Sequence, residues 1–115
     1  MSNISIRATM EPVRSIAFGS ISGTYAGIGT ALSNPSRMLV LQNFTDQPVM
    51  ISIDGVSDHL PLAANVSMIM DMTSNKSVMG AVFAWAEGQR FYVKTLGAGP
   101  ASGSIYLSTI YGTDF

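Results

Sequence analysis

Apolar and polar side chains alternate with a period of two over several short stretches of this chain, the pattern of half-buried strands. In "PVMISID" Val49, Ile51 and Ile53 share one face, with Met50, Ser52 and Asp54 on the other. "NVSMIMDM" sets Val66, Met68, Met70 and Met72 against Ser67, Ile69 and Asp71, and "GQRFYVKT" sets Phe91 and Val93 against Tyr92 and Lys94. Strands are expected over Ile4 to Met10, Val13 to Phe18, Arg37 to Phe44, Pro48 to Asp54, Asn65 to Met72, Gln89 to Thr95 and Ser104 to Tyr111. Gly, Asn, Asp and Pro separate them, as turn chemistry requires. Seven or eight such strands define an all-β protein, an antiparallel β-sandwich of jelly-roll-like or Ig-like type with at most one short helix.

Two strands carry apolar residues on both faces. "RMLVLQ" opposes Met38 and Val40 to Leu39 and Leu41, and "SIYLSTIYG" opposes Ile105 and Leu107 to Tyr106 and Ile110. Only one face of a sandwich strand meets the core, so a partner subunit is expected to cover the other. The best helical stretch is "NKSVMGAVFAWAEG", with Asn75 as a cap and Gly88 as a stop; Gly80 and the β-branched Val78 and Val82 stand against it, and the alternative is another strand around Ala81 to Ala84. Gly19 to Ser36 reads as a glycine-rich loop or edge strand around Tyr25, and Leu96 to Gly103 as a turn. The 115 residues fit one domain, 1–115, with residues 1–12 as an extended arm laid on a neighbour.

Composition sharpens this picture. Charged residues make up 11% of the chain, against about 25% in an ordinary soluble domain, so part of the surface is expected to be covered. The six basic residues are scattered and the net charge is −1, which leaves no row of cations for nucleic acid. No apolar run approaches the ~20 residues of a bilayer span, and "MSNISIRATMEPVRS" lacks the features of a signal peptide; synthesis in a cytoplasm is expected. With no cysteine, disulfides and thiolate chemistry are excluded.

The one constellation resembling a site is "QNFTDQPVMISIDGVSDHLPL", which holds Asp46, Asp54, Asp58 and the single histidine, His59. A metal centre would need such ligands to converge. Asp54-Gly55 is instead a turn signal, and Asn43, Asp46, Asp58 and His59 sit where hydrogen bonds to local backbone are expected. No serine stands in a nucleophile elbow, and "GIGT" and "GAGPASG" lack the lysine and the helix of a phosphate loop. No enzyme activity, cofactor, metal or small-molecule substrate is therefore expected. Met68, Met70 and Met72 read as core, and Met50 as an interface residue. Exposed rings at Tyr92, Tyr106, Tyr111 and Trp85 would suit either subunit packing or sugar stacking.

The pattern running from "SIAFGSISG" through "NFTDQPVMISIDGVSDH", "MTSNK", "GQRFYVK" and "YLSTIYG" covers most of Ser15 to Gly112 and resembles small virion structural proteins of tailed bacteriophages. That resemblance implies a β-sandwich of the neck, collar or head-to-tail junction, or a head decoration protein, made in the host bacterial cytoplasm and present in many copies. The partners it implies are the chain itself and other virion proteins such as portal, connector, tail or major capsid protein. Contacts are expected from Ile4, Ile6, Met10, Tyr25, Met50, Tyr92, Tyr106, Ile110 and Phe115. The alternative is a carbohydrate- or receptor-binding β-module of a tail or fibre.

Overall fold

All seven expected strands form in the computed structural model, which describes residues 6–71 and 84–114. They are β1 (Ile6–Met10), β2 (Arg14–Ala17), β4 (Met38–Asn43), β5 (Val49–Ser52), β7 (Val66–Asp71), β8 (Tyr92–Thr95) and β9 (Ser104–Asp114). Two short strands join them, β3 (Ala26–Gly27) and β6 (Leu60–Leu62), and the one helical element among the described residues is a 3-10 turn at Phe18–Ser20. Of the helical stretch, residues 75–83 lie outside the described residues. Its remainder, from residue 84, is not helical: Trp85 bridges to Ser36 and the chain turns at Gly88, whose φ is +90°.

The pairing is nested. β2 pairs with β9, β3 with β8, β4 with β7 and β5 with β6, all antiparallel, as in one long hairpin. Rolling that hairpin sets β4 beside β9 and β5 beside β8. The result is two facing sheets, β2-β9-β4-β7 and β3-β8-β5-β6, the strand arrangement of a jelly roll. β1 extends the first sheet to five strands by pairing with the far end of β9. Residues 6–10 of the expected arm thus lie on the chain's own sheet. Between Met10, opposite Ile110, and Arg14, opposite Leu107, three residues face two. This is a bulge, and Pro12 within it has no N–H to waste.

The core lies between the sheets. Leu39, Leu41, Ile105, Leu107 and Ile16 project from one, and Val49, Ile51, Leu62 and Val93 from the other, all buried; each contributes roughly 1.5–3 kcal/mol. Met68 and Met70 pack against this cluster as expected of core methionines, while Met72 lies outside the described residues. Two expectations need correction. Ile53 is not core: β5 ends at Ser52, and Ile53 is 38% exposed. Ser52, placed by alternation on the solvent face, is fully buried because the following loop folds back over it. The glycine-rich stretch also does more than connect, since its Ile21, Ile28 and Leu32 close the core.

Candidate interaction surfaces

The residues of "QNFTDQPVMISIDGVSDHLPL" separate in space. Asn43, fully buried at the end of β4, donates through Nδ2 to the carbonyls of Gln47 (3.0 Å), Leu62 (3.2 Å) and Ala63 (3.0 Å). Its Oδ1 accepts from the Thr45 N–H at 2.9 Å and hydroxyl at 2.6 Å. One amide thereby fixes the β4–β5 turn and ties it to the end of β6. Asp46 reaches further than a local turn residue: its Oδ1 accepts the N–H of Ala101 at 2.8 Å, joining this turn to the one before β9.

Between β5 and β6 the chain makes a seven-residue loop, 53–59, rather than a two-residue hairpin, although Gly55 has the positive φ (+78°) expected of it. Asp54 Oδ1 accepts from the N–H groups of Val56 and Ser57 and from the Ser52 hydroxyl, each at 2.8 Å. These bonds pull its carboxyl down to about 2. His59 Nδ1 accepts the Ile53 N–H at 3.1 Å. A serine, a histidine and an aspartate are close here, but in the wrong order for nucleophilic catalysis, which needs the imidazole between the other two. The Ser52 hydroxyl donates directly to the carboxylate, and backbone occupies the imidazole nitrogen facing it.

Asp58 bonds across the outer face of the four-stranded sheet. It accepts the Tyr25 hydroxyl at 2.5 Å and pairs with Lys94 Nζ at 3.0 Å, while that ammonium lies 4.8 Å from the centre of the Tyr25 ring. Desolvation, reinforced by the bond to Asp58 and by its charge, pushes the Tyr25 phenol up to about 12. The bonds from Tyr25 and Lys94 lower Asp58 in turn. Because the Tyr25 value is raised in the fold, its contribution to stability is complete below the ordinary value of 10.0 and disappears as pH rises through about 12. Ultraviolet titration is expected to show a tyrosine step near pH 12 that Tyr25→Phe abolishes.

Tyr92 and Met50 share this face, opposite Ser52 and Lys94 respectively. Arg90 lies 5.7 Å from the Tyr92 ring centre, and Gly55 sits against the same ring. Cations thus already contact both rings on this sheet. Trp85 is half-buried instead of exposed, edge-on to Phe91 at 5.1 Å.

The outer face of the five-stranded sheet differs in kind. Directly paired residues share a face, so the registers give three rows: Met10, Ile110, Met38 and Asp71; Ser108, Val40 and Ile69; Ser15, Tyr106, Gln42 and Ser67. Phe44, half exposed, extends the last row through edge contact with Tyr106 at 5.6 Å. Met10 and Ile69 are 58% and 64% exposed, and Asp71 is the one charge in these rows. No further layer covers this face among the described residues. The apolar second faces of β4 and β9 meet here, as their sequences require.

The expected contact residues therefore divide between two faces: Met10, Tyr106 and Ile110 on the five-stranded sheet, Tyr25, Met50 and Tyr92 on the four-stranded one. Ile6 lies in β1, whereas Ile4 and Phe115 are outside the described residues. Sequence reading missed a buried ion pair at the bulge, where Arg14 Nη2 donates to Glu11 Oε1 at 2.6 Å. Its only signal was an acid and a base three positions apart. Among the described residues no three His, Asp or Glu gather as a metal site, and no helix is long and apolar enough to cross a membrane. The chain matches no family model, no curated protein and no solved structure.

Proposed function

We infer that this chain is a non-enzymatic structural protein of a tailed-phage virion, assembling in multiple copies at the neck or collar, or on the capsid surface, through protein–protein contacts. The observation that carries this reading is the outer face of the five-stranded sheet, where Met10, Met38, Ile110, Val40 and Ile69 form two largely apolar rows beside a more polar one, with a single charge among the three. Contiguous apolar surface of this kind marks interaction sites in proteins that otherwise hide it. The jelly-roll order is compatible, since viral capsid domains use it, but lectin domains use it too and fold alone does not choose. Against a sugar-binding module stand the cations beside Tyr25 and Tyr92, which a stacking sugar would have to displace. The function supported is therefore burial of complementary surface, with no bond made or broken.

The test is electron microscopy of the purified chain, alone and mixed with tailed-phage particles, together with co-sedimentation of the mixture. Wild-type protein is expected to form rings or decorate particles. Met10→Lys, at an exposed position, should fold normally and lose at least about tenfold in association, about 1.4 kcal/mol. A protein that ignores particles and binds glycans would overturn the reading.

A further inference from the structure

Of the eleven glycines, Gly55 alone follows an aspartate or an asparagine. Such a pair is prone to attack on itself, because a glycine has no Cβ to shield its backbone nitrogen. The nitrogen of Gly55 attacks Cγ of the Asp54 carboxyl, a C–N bond forms, and the amide proton leaves with the carboxyl hydroxyl as water. The product is a five-membered succinimide. Water then reopens the ring, and attack at the former main-chain carbonyl leaves isoaspartate, in which the backbone runs through Cγ. The water lost in the first step is regained in the second, so no oxidant or co-reactant is needed. The pair is labile for the reason that it is used: the loop needs the φ of +78° at Gly55 and a carboxylate acceptor before it.

The folded loop holds both reacting groups apart. Gly55 N–H donates to Ser52 Oγ at 2.9 Å, and the same hydroxyl donates to Asp54 Oδ1 at 2.8 Å. Oδ1 also accepts the N–H groups of Val56 and Ser57, each at 2.8 Å. Cγ cannot swing onto the Gly55 nitrogen until these bonds break. Ring closure also needs an un-ionised carboxyl, since hydroxide leaves an acid far more readily than oxide leaves a carboxylate, and these donors favour the charged form. Ser52 is central to the arrangement, being fully buried beneath the loop and bonded to both groups. We propose that Asp54-Gly55 is a latent isoaspartate site, and that the Ser52 hydroxyl keeps it unreactive in the folded chain by holding the nitrogen and the carboxylate at once. Conversion would lengthen the backbone by one methylene and take the acceptor from Val56 and Ser57. The loop would then lose the geometry that sets Asp58 against Tyr25 and Lys94. None of this depends on the virion reading.

The test follows isoaspartate at residue 54 during prolonged incubation of the full chain in warm, mildly acidic buffer. Isoaspartate has the mass of aspartate, so the proteolytic peptide holding residue 54 is scored by its shifted retention and by labelling with an isoaspartyl methyltransferase. Folded wild type is expected to accumulate the product at least about tenfold more slowly than the same chain unfolded in urea, and folded Ser52→Ala at least about tenfold faster than folded wild type, the factor set by losing a hydrogen bond to a charged group. Circular dichroism shows that the variant is folded. Ser52→Cys, near in shape but a weak donor and acceptor, serves where alanine does not fold and should also exceed the wild-type rate. Ser57→Ala keeps its backbone donor and should age as the wild type does. Folded wild type that isomerises as fast as the unfolded chain, or folded Ser52 variants that age no faster than wild type, would overturn the proposal.

Discussion

Gly103→Ala is expected to destabilise the protein by about 3 kcal/mol or more, combining a strained backbone with a steric clash. Gly103 has φ +91°, where side chains are rarely accommodated, and a Cβ built there would lie 1.9 Å from the Phe44 carbonyl oxygen. That neighbour is backbone and cannot rotate aside. Nor can it retreat cheaply. The Phe44 N–H donates to Ser104 O at 3.0 Å, the Phe18 N–H donates to Gly103 O at 3.0 Å, and the Ala101–Asp46 bond holds the same two turns together. Separating them would pull Thr45 and its bonds to Asn43 out of place. At about 4 °C or more per kcal/mol for a domain near this size, the thermal midpoint should fall by at least about 12 °C. Gly97→Ala is the control: nothing lies within 4 Å of its added Cβ, and a change within about 0.5 kcal/mol is expected. Calorimetry of both variants decides whether the close approach, rather than loss of glycine as such, holds the start of β9.

The contrast between Gly103 and Gly97 was invisible in "LGAGPASG", where both read as turn glycines. Long strands were legible for two reasons: β7 alternates, and β4 and β9 are apolar runs bounded by turn residues. β3 and β6 were not, because two or three residues carry no period, and Leu60-Pro61-Leu62 reads as an interruption. The nested pairing was also hidden, since alternation states which face a residue occupies and says nothing of which strand lies beside it. Ile21, Ile28 and Leu32 reach the core singly from a loop, so no local pattern announced them. What the sequence conveyed about surfaces was coarser but sound in one respect. Strands apolar on both faces separated Leu39 and Leu41 from Met38 and Val40, and Ile105 and Leu107 from Tyr106 and Ile110, but which face meets the core is decided by the fold, which buries Leu39, Leu41, Ile105 and Leu107. The acid and histidine cluster was legible as turn chemistry from Asp54-Gly55, yet the reach of Asp46 to Ala101 and of Asp58 to Tyr25 required the fold.

Glu11→Ala is expected to cost about 3–5 kcal/mol, the penalty for stranding a buried cation. The two side chains are only 7% and 4% exposed for Arg14 and Glu11. Arg14 is otherwise held by neutral carbonyls, donating through Nε to Thr30 O at 2.8 Å and through Nη2 to Ala31 O at 2.9 Å. Glu11 in turn accepts from Asn34 Nδ2 at 2.9 Å and from the Ser33 N–H at 3.3 Å. The pair thus clamps residues 30–34 against the bulge, and Gly29 leaves room for it, since a Cβ there would meet Arg14 Cβ at 2.7 Å. Replacing both partners, as in Glu11→Leu with Arg14→Met, should cost much less than either single change, because desolvation of the charges disappears along with their attraction. The pair also gives the fold an acid sensitivity of known sign. Burial raises the Glu11 carboxyl, but the hydrogen bonds from Asn34, Arg14 and Ser33 and the Arg14 charge outweigh it, leaving the group below its ordinary value of 4.5. A carboxyl lowered in the fold stabilises in full above its unfolded value, and that contribution is lost as pH falls through the folded one. Urea unfolding of the wild type should therefore weaken below pH 4.5, and the curve for the Glu11→Leu, Arg14→Met pair should be flatter over the same range. Equal slopes would mean that other carboxylates, such as Asp54 in its loop, set the acid limit of this fold.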